Sequence, residues 1–289
     1  LEPGRLRRKV ADAFADDGAL AGLPSFEIRN GQREMAVAVA DVLESGGTLL
    51  AEAGTGTGKT LAYLVPAILS RHRVLVSTGT KPLQDQIYYK DLPTLRRVLD
   101  IEFSASYMKG RGNYLCLHRF NAYRSGDLLT SAADENAIET IAEWAQQTST
   151  GDRAEIEELP DDLAFWSEIS GTSENCVGSD CPNHQECFVT RMRQRAMESD
   201  LVIVNHHLLC ADAALRQSAY GEVIPPCTYA VIDEAHQLEN VATQYFGIVI
   251  SNHKFEKLVI DGIRAVKHDL QETPDTANTM EQAIALVNQ

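Results

Sequence analysis

Ala53-Gly54-Thr55-Gly56-Thr57-Gly58-Lys59-Thr60 is the stretch whose reading decides the fold. An apolar run, Leu49 to Ala51, precedes it and reads as a short buried strand; Leu61, Leu64, Val65 and Ile68 follow at helical spacing. Strand, Gly/Thr loop, helix is the context that a phosphate-binding loop requires. The glycines let successive backbone N–H groups turn inward around phosphates, and the helix N-terminus adds its positive dipole. Lys59 is placed to reach the β- and γ-phosphates of ATP, and Thr60 to offer its hydroxyl to Mg²⁺. The first position holds Ala53 where the motif's pattern has glycine.

Moving outward, Met35, Val39 and Val42 recur on one face of a predicted helix that ends at Ser45-Gly46-Gly47. Downstream, Arg73–Ser77 reads as a strand, Pro82–Lys90 as a helix, and Leu201–Val204 and Tyr229–Ile232 as further strands. Short apolar strands alternating with helices predict an α/β fold with a parallel sheet covered on both faces, its ligands at the carboxyl ends of the strands. The span from about Met108 to Ser199 interrupts the rhythm. The last strand runs directly into Asp233-Glu234-Ala235-His236. At a strand terminus Asp233 can hold Mg²⁺, Glu234 can orient and deprotonate an attacking water, and His236 can pass the nucleotide state to neighbouring elements.

The chain has 289 residues, 44% of them hydrophobic, enough for one large domain or a domain with an inserted lobe. No apolar run approaches the roughly 20 residues of a membrane span, and the N-terminus lacks the apolar stretch of a signal peptide, which predicts a cytoplasmic protein with no membrane partner. Both ends read as cut points in a longer chain, since Leu1 stands where Met would and Met280, Ile284 and Val287 still follow helical spacing near Gln289. A formal charge of -15 is unusual for a nucleic-acid binder. However, between Asp127 and Glu174 thirteen carboxylates face the single base Arg153, a balance of -12 that leaves -3 for the rest. That stretch reads as a solvated surface.

The chain resembles the superfamily 2 helicases with a DEAH box, and three further segments narrow the likeness. Arg29-Asn30-Gly31-Gln32 is similar to the family's Arg-x-x-Gln element, in which Gln32 would contact the adenine region. Thr78-Gly79-Thr80, with Gln84 and Gln86 following, resembles the motif that touches the DNA backbone. Asn205-His206-His207 after the third strand resembles the Asn-His segment of the XPD/DinG group, bringing Asn205 and His206 into the expected DNA contacts.

The cysteines carry a separate signal. Cys116, Cys176, Cys181 and Cys187 form one distant member and a tight C-x₄-C-x₅-C cluster, while Cys210 and Cys227 stand alone near strands and read as core residues. In a cytosolic chain four such thiolates suggest a metal rather than disulfides. With His118 and His184 nearby, spacing alone leaves zinc and an iron-sulfur cluster equally open. Membership of the XPD/DinG group would decide it, because there a cysteine-rich insertion holds a [4Fe-4S] cluster through four cysteines.

The likeness extends over about residues 25 to 250 and is closest to the bacterial DinG/YoaA branch. It implies a RecA-like motor domain in residues 1–107 and 200–244, an inserted helical iron-sulfur lobe in 108–199, and the start of an arch insertion in 245–289, with the second motor domain outside the sequence. It further implies ATP-dependent 5′-to-3′ movement on single-stranded or forked DNA in repair or damage tolerance, with a replication or repair protein as a further candidate partner. The alternatives are a non-translocating DNA-binding ATPase switch, a non-motor signalling ATPase, which has no use for Gln84 and Asn205, and an iron-sulfur electron carrier, which has no use for Lys59.

Overall fold

The computed structural model describes residues 4–23, 27, 29–54, 56–125, 132–156, 159, 163, 165–172, 175–217 and 222–247, the side chains of 132–135 excepted. Thr55 and the expected arch segment from 248 onward lie outside the described residues.

Among the described residues four parallel strands make the sheet: β1 (Val74–Thr78), β2 (Ala105–Tyr107), β3 (Leu201–Asn205) and β4 (Tyr229–Ile232), in the order β2-β3-β1-β4. Registers run Val74↔Leu201 and Val74↔Tyr229, so the carboxyl ends of β1, β3 and β4 lie side by side. Side chains alternate across the pleat and divide the core in two. Val74, Val76, Leu201 and Ile203 pack into one layer with α1 (Arg5–Ala13), α2 (Asn30–Ser45) and α3 (Lys59–Ser70). Leu75, Val202 and Val204 pack into the other with Leu208 and Ile224 and with residues of the interrupting segment, among them Met108, Tyr114, Leu115, Trp166, Ile169, Phe188 and Met192. That segment therefore covers one face of the sheet, with α6 (Leu117–Ser125), α7 (Ala132–Gln147), α8 (Trp166–Ile169) and α9 (Phe188–Glu198) as its helices.

Two expectations are corrected. Leu49–Ala51 is not a strand: Leu49 and Leu50 are 38% and 93% exposed, and no ladder partner faces them among the described residues. An apolar triplet becomes a strand only where a neighbour takes up its backbone groups. In α2 the buried stripe is Gln32, Ala36, Ala40 and Leu43, one position from the expected Met35, Val39 and Val42, which are half-buried. The helix lies close against α3 through its alanines, and small side chains allow that approach where larger ones would not. The helix expected over Pro82–Lys90 is α4 (Lys81–Gln86) followed by a π-helical turn at Ile87–Asp91 and α5 (Leu92–Leu99). No helix among the described residues is long and apolar enough to cross a membrane.

Candidate nucleotide-binding site

The phosphate-loop lysine and the Asp-Glu pair converge. Gly58 enters α3 at φ +83°, a left-handed conformation that glycine adopts without strain, and a Cβ there would collide with the Gln32 amide. Gln32 Nε2 donates to the Gly58 carbonyl at 2.9 Å, Arg29 donates to the Gly56 carbonyl, and Thr57 Oγ1 donates to the Gly54 carbonyl at 2.9 Å. The Arg29/Gln32 element, at the start of α2, is thus clamped onto the loop, with the Gln32 amide, expected at the adenine region, set on a loop carbonyl.

Lys59 Nζ lies 3.2 Å from the Ala53 carbonyl oxygen and 3.3 Å from Glu234 Oε1, an ion pair in which both side chains are about a quarter exposed. Glu234 itself sits at φ +53°, a left-handed backbone that costs a non-glycine residue on the order of 1 kcal/mol. This kink directs the carboxylate back toward the loop. His236 Nδ1 stands 3.5 Å from the other Glu234 oxygen and is largely exposed. Asp233 is anchored at the end of β4 by its N–H to the Ser77 carbonyl at 2.8 Å.

Tyr63 of α3, which the sequence did not single out, completes the arrangement. Its hydroxyl donates to Asp233 Oδ2 at 3.0 Å, while Asp233 Oδ1 accepts from the Glu234 N–H at 3.0 Å. Burial, and then the Asp233 charge, push the Tyr63 phenol well above its ordinary range, which keeps it a donor. Both Asp233 oxygens are therefore oriented before any ligand arrives. Together Lys59, Thr60, Asp233 and Glu234 offer an ammonium, a hydroxyl and two carboxylates around a glycine loop, a set suited to a metal-bound polyphosphate and a water nucleophile.

The expected DNA contacts divide. Thr80 and Gln86 are exposed, and Gly79 is half-buried with the Gln237 side chain against it. Thr78, Gln84, Asn205 and His206 are interior. Gln84 is fully buried, its Nε2 donating to the carbonyls of Met108 at 2.8 Å and Ile203 at 3.0 Å. Asn205 Oδ1 accepts from the Leu208 N–H at 2.8 Å, a cap on α10 (His206–Gln217). His206 Nδ1 meets Ser77 Oγ at 2.7 Å, and burial lowers its pKa against the opposing pull of Glu234 and Asp233. Gln84 thus ties α4 to Met108 and β3, His206 ties α10 to β1, and Asn205 and Thr78 bond within their own turns, Thr78 Oγ1 donating to the Thr80 carbonyl at 3.1 Å, so all four side chains are engaged inside the fold.

All six cysteines are free thiols. Cys116 precedes α6 and Cys187 caps α9; burial raises the Cys116 thiol, against backbone N–H groups of Arg119 and His118 that lower it. The half-buried Arg193 guanidinium lies in the field of Cys176 and Cys187, and its Nε has no hydrogen-bond partner. Among the described residues no three His, Cys, Asp or Glu side chains close on a single point as metal ligands. Cys210 is buried as expected, and Cys227 is half-buried.

Residues 32–111 match the DEAD/DEAH box helicase family. The chain is 43% identical over 267 residues to the ATP-dependent DNA helicase YoaA of Escherichia coli (strain K12), covering 91% of this chain and 42% of that protein. It is 38% identical over 280 residues to YoaA of Haemophilus influenzae (strain ATCC 51907 / DSM 11121 / KW20 / Rd), covering 96% and 44%. With the ATP-dependent helicase DinG of Mycobacterium tuberculosis (strain ATCC 25177 / H37Ra) it shares 38% identity over 237 residues, covering 74% and 35%. The chain thus spans less than half the length of these relatives.

Proposed function

From a chain that carries a DEAD/DEAH box helicase domain and is similar to YoaA and DinG, we propose that it is the ATP-binding part of an ATP-dependent DNA helicase that moves 5′-to-3′ on single-stranded or forked DNA. The observation that carries this reading is the meeting of Lys59 with Glu234 at 3.3 Å beside an Asp233 already oriented by Tyr63. In the working enzyme Lys59 contacts the transferring phosphate, Thr60 and Asp233 hold Mg²⁺, Glu234 activates water, and Arg29 and Gln32 steady the loop from the base side. His236 relays the state of Glu234 outward. Residues 1–107 and 200–244 form the motor domain, 108–199 the inserted lobe, and 245–289 the start of an arch.

The test uses the full-length protein. Lys59→Ala removes a contact to developing charge and should lower DNA-stimulated ATPase by at least a hundredfold and abolish unwinding. Wild-type turnover in that variant would overturn the assignment. ATP hydrolysis by the wild type without strand separation would favour the non-translocating switch.

The inserted segment supports a second part of the reading, a [4Fe-4S] cluster held by Cys116, Cys176, Cys181 and Cys187. Four thiols on one lobe are the donor set such a cluster takes, and the orphaned Arg193 Nε offers a donor toward anionic sulfur. When bound, the cluster would act as a cross-link between α6, α9 and the 176–181 loop. The other donors, His118 and His184, keep zinc as the competing metal, and iron and zinc analysis of anaerobically purified protein separates the two.

A further inference from the structure

A fully buried imidazole lies beside the Asp-Glu pair with one of its two nitrogens unused. His206 is the first residue of α10, directly after β3, and is 0% exposed. Thr78↔Asn205 is the last rung between β1 and β3, so His206 stands at the end of that ladder, next to β1. There its Nδ1 meets Ser77 Oγ at 2.7 Å. Ser77 is fully buried too, and its carbonyl accepts the Asp233 N–H at 2.8 Å. One serine thus holds the imidazole by its side chain and the start of the Asp-Glu turn by its main chain.

The second nitrogen, Nε2, is buried and has no hydrogen-bond partner among the described residues. Such a group is costly to keep in an interior, and its surroundings decide what it can do. Burial lowers the pKa of the ring, and what pulls against burial is the backbone carbonyl of Glu234, then that of Asp233, then the Asp233 charge. All three are acceptors. They assign the tautomer: a neutral ring with its proton on Nε2, Nδ1 accepting from the Ser77 hydroxyl. The turn that this donor faces is the strained one. Glu234 stands at φ +53°, and its carbonyl takes the Gln237 N–H at 2.9 Å. A left-handed residue other than glycine persists only where its surroundings over-determine it.

We propose that His206 is a positioning residue for Glu234, its Nε2–H bracing the kinked Asp233-Glu234 backbone from outside the turn so that the carboxylate stays aimed at the attacking water. The role rests on the helicase reading and replaces the strand contact expected of His206 by an action through Glu234. The need for a brace follows from the ion pair. Lys59 holds Glu234 at 3.3 Å, yet the same ammonium has to reach the transferring phosphate. It cannot do both at once, so during turnover the aim of the carboxylate has to come from its backbone.

The test is steady-state ATPase of the full-length protein at saturating oligothymidylate. His206→Asn keeps an amide near the place of Nδ1 and removes Nε2. It should lower kcat about tenfold with the KM for ATP within about twofold, the pattern of an interaction that matters in the transition state alone. His206→Gln puts an amide N–H near the place of Nε2 and should recover most of that loss, to within about threefold of the unaltered protein. Ser77→Ala, which frees the ring to turn, should show the same split between kcat and KM at a smaller cost, and gives the answer if His206→Asn does not fold. A purely structural imidazole predicts equal losses in the Asn and Gln variants, following their unfolding midpoints. That result overturns the proposal, as does an undiminished kcat in His206→Asn or, where that variant does not fold, in Ser77→Ala. A loss of oligothymidylate affinity with kcat intact at saturation overturns it too, and returns His206 to the strand. In each of these cases Lys59→Ala still abolishes turnover and the helicase reading stands; an unaltered protein without DNA-stimulated ATPase overturns both.

Discussion

Removing the Gln84 amide would leave the carbonyls of Met108 and Ile203 without their donor in a site that water does not reach. Unpaired buried carbonyls cost about 1–3 kcal/mol, so Gln84→Ala should lower the midpoint of thermal unfolding by several degrees in calorimetry, while Gln86→Ala, exposed on the same turn of chain, should not. Equal effects at the two positions would contradict the interior role of Gln84. Gly58 makes the complementary case. Gly58→Ala would force a Cβ into both a left-handed backbone and the Gln32 amide, and ATP affinity should fall at least tenfold as the Gln32 hydrogen bond to the loop is lost. Fluorescent nucleotide titration checks this, and undiminished affinity would mean that the clamp is dispensable. Lys59, Gly58 and Asp233 could be read from sequence because glycine spacing and an acidic pair after a strand are local patterns. The burial of Gln84, Asn205 and His206 could not, because a polar residue's partner is chosen by distant chain. Tyr63 was hidden for the same reason, its hydroxyl meeting a carboxylate 170 positions away.

At the scale of elements, β1, β3 and β4 were legible as apolar runs with turn residues at their ends. β2 was not, since Ala105, Ser106 and Tyr107 give only three residues without periodicity and owe their strand to pairing with Leu201, Val202 and Ile203. Leu49–Ala51 misled in the opposite direction: the same apolar brevity met no neighbour. The interrupting segment was visible as a break in rhythm, but not as the second layer of the core. That position sharpens what the cysteines should do. Phe188 and Met192 on α9 pack against the sheet's Val202 and Val204 face, and Cys187 caps that helix. If the four cysteines hold a cluster, Cys187→Ser should bleach its absorbance, lower bound iron and raise protease cleavage within 108–199, since ligand binding energy is partly folding energy. Cys210→Ser, buried in α10, should keep the colour. Stoichiometric zinc without iron in the unaltered protein would show that the lobe holds the other metal.

At the scale of the whole molecule, the question is how much of a catalytic site these 289 residues supply. Lys59 is occupied by Glu234 and the Ala53 carbonyl, and Arg29 by the Gly56 carbonyl, so the loop's own cations satisfy the loop. Phosphoryl transfer spreads charge over the oxygens of the departing group, and if the proposed helicase reading holds, a second lobe would add an arginine to meet it, worth on the order of 10³ to 10⁵ in rate. Lys59 alone cannot both neutralise Glu234 and balance that charge. We therefore expect residues 1–289 to bind ATP and Mg²⁺ yet hydrolyse ATP at least about a thousandfold more slowly than the full-length protein, with or without DNA. Movement follows the same logic, because stepping requires two grips on the strand that alternate. On the proposed reading the surface around the exposed Thr80 and Gln86 would supply one. Binding to single-stranded DNA should be present, weak and steeply salt-dependent, and duplex separation absent. Parallel ATPase and unwinding assays on the 289-residue chain and the full-length protein decide the matter: strand separation by the shorter chain alone would mean that its single sheet holds a complete motor.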